Sequence, residues 1–222
     1  MCRNEHSDEY QRKIKWCCQI TVTAFYVLSN AWMGTIARAA AMDTTYQTAT
    51  FAGGCFWGME KVFGELPGVV STRVGYTGGT ARQPTYEMVC TGKTGHAEAI
   101  EVTYDPSRVS YEELLEFFFT HHDSTTLNRQ GNDTGTQYRS AIFTHTREQQ
   151  AAALRAKDVL EHSGVFGKPI VTTIEPAGEF FPAEEYHQKY LQKNPHGYCH
   201  IQLQSARIRE ILRKATITPS TS

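Results

Sequence analysis

The sequence predicts an α+β fold, a sandwich of helices against a mixed sheet. Three observations carry this. Runs that read as strands and runs that read as amphipathic helices alternate irregularly, not as strict βα repeats. No Gly-x-Gly-x-x-Gly follows a strand, which argues against a doubly wound nucleotide-binding sheet and against a dinucleotide cofactor. The 222 residues are 40% hydrophobic and 20% charged, an ordinary globular balance with enough length for a full core.

Each element has a local reason. Thr48–Phe51 is a short extended run. Cys55 to Leu66 carries helix-spaced apolar residues at Met59, Val62, Phe63 and Leu66. Val69–Tyr76 reads as a strand closed by Thr77-Gly78-Gly79, and Pro84–Cys90 as a short helix. Ala97–Tyr104 alternates as a strand and stops at Asp105-Pro106. Ser110-Tyr111-Glu112-Glu113 forms a capping box for a helix running to about His121. The polar stretch Asp123–Thr136 reads as a long loop, and such loops in compact domains are usually functional. Tyr138–Thr144 follows as a strand, Thr146 to Ser163 as a capped helix, and Ile170–Glu175 as another strand. Ala183–Leu191 is expected to be helical, Asn194–Tyr198 a turn, and Ala206–Lys214 a terminal helix.

Residues 42–222 contain no repeat, low-complexity tract or linker and are read as one domain. Residues 1–41 are set apart. Arg12, Lys13 and Lys15 precede an uncharged stretch from Trp16 to Ala37, followed by Arg38 and a run of alanines. A basic region, an apolar region and an Ala-x-Ala site together resemble a secretory signal. A membrane anchor and an internal start at Met42 are the alternatives. The expectation is therefore export, with a membrane-bound or a cytoplasmic protein as the other outcomes.

Net charge −1 and the lack of a basic cluster with interleaved aromatics give no reason to expect nucleic acid. Of six cysteines, those at 2, 17 and 18 lie in the N-terminal segment, leaving Cys55, Cys90 and Cys199. This trio is neither a disulfide framework nor a zinc pattern. A catalytic thiol with one partner fits the count better.

Gly53-Gly54-Cys55-Phe56-Trp57-Gly58 puts a cysteine at a helix N-terminus, where unpaired N–H groups favour a thiolate. A cysteine alone is more often a packing residue. Glycines before it, expected to leave the sulfur open, and aromatics after it favour a reactive thiol beside a ligand pocket. Glu98 shares the parity of Ile100, Val102 and Tyr104, so it points to the apolar face. Burial would raise its pKa and make it a proton donor near neutral pH. Tyr86, Asp133 and Tyr138 are softer candidates, since phenols can hold a polarised oxygen, and each alone would be a turn or packing residue. Cys199 sits in a turn-rich segment whose thiol could fold back, and Cys90 is expected to be inert packing. His121-His122-Asp123 and Glu184…His187 have partial ligand character but no closed set of four, so they read as helix-end and surface groups. No metal or organic cofactor is expected.

The combination resembles the A class of peptide methionine sulfoxide reductases. Phe51–Gly58 (FAGGCFWG), Thr91–Glu98 (TGKTGHAE), Gln130–Phe143 (QGNDTGTQYRSAIF) and Phe180–Cys199 (FFPAEEYHQKYLQKNPHGYC) carry the resemblance, which covers residues 49–199. It implies a ferredoxin-like α/β sandwich with a largely antiparallel sheet. It implies that Cys55 attacks the sulfoxide sulfur, and that Glu98 protonates the oxygen with help from Tyr86, Tyr138 and, through water, Asp133. Phe56 and Trp57 would hold the substrate methyl group. Cys55 would become a sulfenic acid and then a disulfide with Cys199, reduced by thioredoxin or a similar dithiol. The substrate would be methionine-S-sulfoxide, free or in oxidised proteins, and the enzyme a monomer that repairs them. Relatives often carry a further cysteine in a glycine-rich tail. Here His200-Ile201-Gln202-Leu203 follows Cys199, and a single resolving cysteine is expected. A peroxide-reacting thiol sensor and a non-catalytic binding module are the competing readings. A methyl-binding cage argues against the first, and the intact Cys55 and Glu98 argue against the second.

Overall fold

The computed structural model describes residues 45–198 and 201–217. The segment read as signal-like and Cys199 lie outside the described residues. Eight strands occur among these: β1 (Gln47–Gly53), β2 (Val69–Thr77), β3 (Ala97–Tyr104), β4 (Arg129–Gln130), β5 (Asp133–Thr134), β6 (Ser140–Thr144), β7 (Thr173–Pro176) and β8 (Phe181–Pro182). The helices are α1 (Phe56–Gly64), α2 (Tyr86–Cys90), α3 (Tyr111–His121), α4 (Arg147–Ser163), α5 (Tyr190–Lys193) and α6 (Ala206–Ile217).

Six strands form one sheet in the order β7-β6-β1-β3-β2-β8, while β4 and β5 pair separately. The central four are antiparallel neighbours, and β7 adds to β6 in parallel. Helix α1 links β1 to β2 and α3 lies between β3 and β6. The order β6-β1-β3-β2 with these two crossovers is the split βαβ arrangement of ferredoxin-like folds, as the family resemblance implied.

Alternation along the strands divides the interior in two. On the helical side Phe51 stacks on Phe63 at 5.2 Å and on Phe118 at 5.1 Å, joining β1 to α1 and α3. Ile100, Val102, Leu114, Ala153, Leu160 and Ile208 complete this core. The opposite face carries Ala52, Ala97, Ala99, Ala141 and Phe143, covered by Ala177 and Phe180 from the chain after β7. Small residues let that irregular segment lie close: a Cβ on Gly75 would meet the Phe181 carbonyl oxygen at 2.3 Å. Helix α6 is tied to α3 by Glu116, which pairs with Arg209 at 2.8 Å and Arg213 at 2.9 Å.

The capping residues act as expected. Ser110 and Glu113 form the reciprocal box, and the Gln149 amide donates to Thr146 at 3.1 Å. Helix α1 is shorter than expected, starting at Phe56 with Cys55 as its N-cap. The 170–175 strand is confined to Thr173–Pro176, and Tyr138 closes a 3₁₀ turn (Thr136–Tyr138) instead of opening a strand. The largest departure is the expected Ala183–Leu191 helix, of which only α5 forms, after turns. Tertiary bonds take this backbone: the Lys189 amide donates to buried Glu60 at 2.6 Å, and the Gln188 side chain bonds both backbone groups of Val74. Lys189 sits at φ 53°, which a continuous helix cannot hold.

Because Phe51 touches three aromatic rings with no exposure, Phe51→Ala is expected to lower the free energy of unfolding by about 3–5 kcal/mol. Urea denaturation measures this. A loss below about 1 kcal/mol would show that the core does not centre on this ring.

Candidate active site

The end of β1 delivers the chain to the site through two glycines with different tasks. A Cβ on Gly53 would lie 3.0 Å from Met59 and 3.1 Å from Phe118, so the backbone approaches the core closely. Gly54 has φ +92°, and a Cβ there would meet Gln130 at 2.6 Å. That turn makes Cys55 the N-cap of α1, its carbonyl accepting the Met59 amide at 3.4 Å. The sulfur faces the N–H groups of Trp57 and Gly58.

Cys55, Phe56, Trp57, Tyr86, Glu98, Asp133, Tyr138 and Tyr198 line one cavity of about 310 Å³. Seven of the eight candidate residues named from the sequence are therefore brought together, and the eighth, Cys199, is outside the described residues. The thiol is not open as expected: Cys55 is only 9% exposed, at the cavity floor. Nor is its pKa depressed. Burial pushes it well up, Glu98 adds to the rise, and the two helix amides offset only part. A thiol this deeply desolvated keeps its proton in spite of the helix N-terminus.

Glu98 is 2% exposed on β3. The Phe56 amide donates to Oε2 at 3.1 Å. Burial, with a contribution from Asp133, pushes this carboxyl up to about 8, against the pull of the Phe56 amide. It is a neutral acid at pH 7. Burial likewise raises the phenols of Tyr86 and Tyr138, which stay protonated donors. Asp133 Oδ1 accepts from the Tyr198 hydroxyl at 3.1 Å, while Oδ2 is buried without a hydrogen-bond partner among the described residues.

The apolar wall has a support that sequence reasoning missed. Phe56 is fully buried, and the Trp57 ring stacks on Tyr190 at 3.8 Å. Its indole N–H donates to His187 Nδ1 at 2.9 Å. His187, read from the sequence as a surface group, is 1% exposed and lies among the rings of Phe56, Trp57, Tyr86 and Tyr186. Burial lowers its pKa, so the ring is neutral, with Nδ1 free to accept. The packing expected for Cys90 also fails, since this thiol is exposed at the end of α2, beside Tyr86. His121 and His122 do end α3, and His122 is buried between the Phe118 carbonyl and the Ser140 hydroxyl. Among the described residues no group of three His, Cys, Asp or Glu side chains is placed to hold a metal ion.

Burial and the high thiol pKa give a direct check. Iodoacetamide at pH 7 is expected to label Cys90 in preference to Cys55, read by peptide mass spectrometry. Faster labelling of Cys55 would contradict a protonated, sheltered sulfur.

Residues 47–217 match the family Peptide methionine sulfoxide reductase. A peptide methionine sulfoxide reductase MsrA of Methanothermobacter thermautotrophicus is 60% identical over 156 residues, covering 70% of this chain and 92% of the relative. That of Methanoculleus marisnigri is 57% identical, covering 72% and 97%. Among solved structures, reduced Mxr1 of Saccharomyces cerevisiae superposes with TM-score 0.68 at 39% identity, covering 72% of this chain and 93% of Mxr1. Methionine sulfoxide reductase A of Corynebacterium diphtheriae gives 0.62 at 45% identity, covering 69% and 77%. With most of its length matched and relatives this similar across almost their whole sequence, the chain belongs to the peptide methionine sulfoxide reductase family.

Proposed function

We propose that this enzyme reduces methionine-S-sulfoxide, free or in proteins, through Cys55 and Glu98 acting as a pair that shares one proton. The observation that supports this is a buried carboxyl with pKa about 8, held over the α1 N-terminus that carries the thiol. A sulfoxide oxygen leaves poorly unless protonated, so a thiolate must work beside an acid. Cys55 sulfur attacks the substrate sulfur, and Glu98 passes a proton to the oxygen. The S–O bond breaks as the new S–S bond forms; the departing oxygen then attacks the Cys55 sulfur, which breaks the S–S bond, leaves Cys55 as a sulfenic acid and releases methionine. Tyr86 and Tyr138 donate to the same oxygen, and Asp133 Oδ2 orients the substrate through water. Phe56 and Trp57 enclose the methyl group.

The sulfenic acid then condenses with Cys199, forming an S–S bond and releasing water. A dithiol protein of the thioredoxin type takes over the disulfide by exchange and leaves both thiols reduced. Repair of oxidised proteins is the physiological task of this cycle.

The shared proton sets the sign of the pH dependence. Below about 8 both groups are neutral, and the pair holds one proton too many for attack. Raising the pH through the Glu98 titration removes one proton, and the one left on the thiol passes through the Glu98 carboxylate to the oxygen as the sulfur attacks. The second-order rate constant for sulfoxide reduction is therefore expected to rise and then level off above about pH 8. Glu98→Gln should slow the step roughly 100-fold or more and abolish that inflection. A wild-type rate that falls through pH 8, or a fully active Glu98→Gln enzyme, would overturn the pairing.

Turnover of separated sulfoxide epimers with dithiothreitol tests the substrate. The S epimer alone should yield methionine, and Cys55→Ser should yield none. After stoichiometric substrate without reductant, mass spectrometry should find Cys55 joined to Cys199. Equal use of both epimers, or a Cys55–Cys90 bond, would contradict the reading.

A further inference from the structure

Glu184, between β8 and α5, has no part in the reaction just described, yet its carboxylate reaches two walls of the site. Oε1 accepts the backbone N–H of Tyr86 at 2.9 Å. Oε2 accepts the hydroxyl of Tyr76 at 2.9 Å and lies 3.9 Å from His187 Nε2. Burial works to raise the Glu184 pKa, but the Tyr86 amide, its own backbone amide and the Tyr76 hydroxyl outweigh it and keep the group ionised.

Both partners matter to geometry. Helix α2 is five residues long with only Val89 buried, so neither its own turn nor the core fixes it firmly. Its N-cap Thr85 accepts the Met88 amide at a long 3.4 Å. The first helical amide, that of Tyr86, is held from outside by Glu184. Tyr76 lies directly across the β2–β3 ladder from Glu98, and its ring is 5.9 Å from Phe56. The same carboxylate thus braces the residue whose phenol lines the cavity and the ring beside the acid.

We propose that Glu184 is a positioning residue, which acts on sulfoxide reduction by fixing α2 so that the Tyr86 hydroxyl meets the substrate oxygen. This rests on the donor role given to Tyr86 above. Glu184 is itself about one-third exposed and touches no reacting atom. Its main effect belongs in the chemical step, because Trp57 is held directly by a hydrogen bond to His187 Nδ1 and by stacking on Tyr190, and Glu184 makes neither contact.

Single-turnover reduction of a methionine-S-sulfoxide peptide by the full chain tests this. Glu184→Ala and Glu184→Asp, the latter charged but one methylene short, should each lower the maximal rate about tenfold or more. The half-saturating substrate concentration should change less than about twofold. Glu184→Gln keeps a carbonyl acceptor for the Tyr86 amide and should recover to within about threefold of wild type. In a Tyr86→Phe background, already slowed, Glu184→Asp should cost nothing further. An equal further loss in that background, or a wild-type maximal rate for Glu184→Asp, overturns the proposal and leaves the Tyr86 role standing. Full activity of Tyr86→Phe overturns the Tyr86 role and this proposal together.

Discussion

One backbone amide holds the chemistry together: the N–H of Phe56, donating to Glu98 Oε2 across the gap between α1 and β3. Phe56 is the first residue of α1 and Cys55 caps it, so the amide that orients the acid belongs to the peptide unit attached to the nucleophile. Displacing either element would separate the two groups. The split βαβ topology serves this constraint. It sets β3 beside β1, so that a residue near the start of β3 faces the chain leaving the end of β1.

The electrostatics follow from where that pair sits. A helix N-terminus alone favours a thiolate, and the sequence pattern around Cys55 supports that expectation. Desolvation dominates here, raising both the thiol and the carboxyl. The resting Cys55–Glu98 pair is therefore close to uncharged, which suits a neutral, polar sulfoxide and limits reaction with passing electrophiles. Protonated phenols at Tyr86 and Tyr138 keep the same character. The apolar side is equally fixed, since Trp57 lies between Tyr190 and His187 and cannot turn away without losing a stacked ring and a hydrogen bond.

Much of this was legible in the sequence because it is local. The parity that buries Glu98 needs only eight residues of alternating strand, and the Ser110 box and Thr146 cap need only four each. The structure uses the freedom of Gly53-Gly54 in one close contact and one positive φ. What escaped was set by distant partners. The helical spacing of 183–191 is overridden by Glu60, Val74 and Trp57, more than a hundred residues away. His187 and Glu184 look like surface groups for the same reason, as nothing near them in the chain shows that aromatic rings enclose one and two tyrosines meet the other. The pKa of Cys55 was misjudged because a sequence marks a helix start but not how much water reaches it.

The account stands or falls on whether burial lifts the Glu98 carboxyl to a pKa near 8 in the folded protein. Titration of the reduced enzyme, followed by ¹³C NMR of the Glu98 side-chain carboxyl and assigned by comparison with Glu98→Gln, measures this directly. A midpoint near pH 8 is the predicted result. A carboxyl that ionises in the ordinary range near 4.3 would be too weak a base to take the thiol's proton and pass it to the sulfoxide oxygen, and would contradict the mechanism.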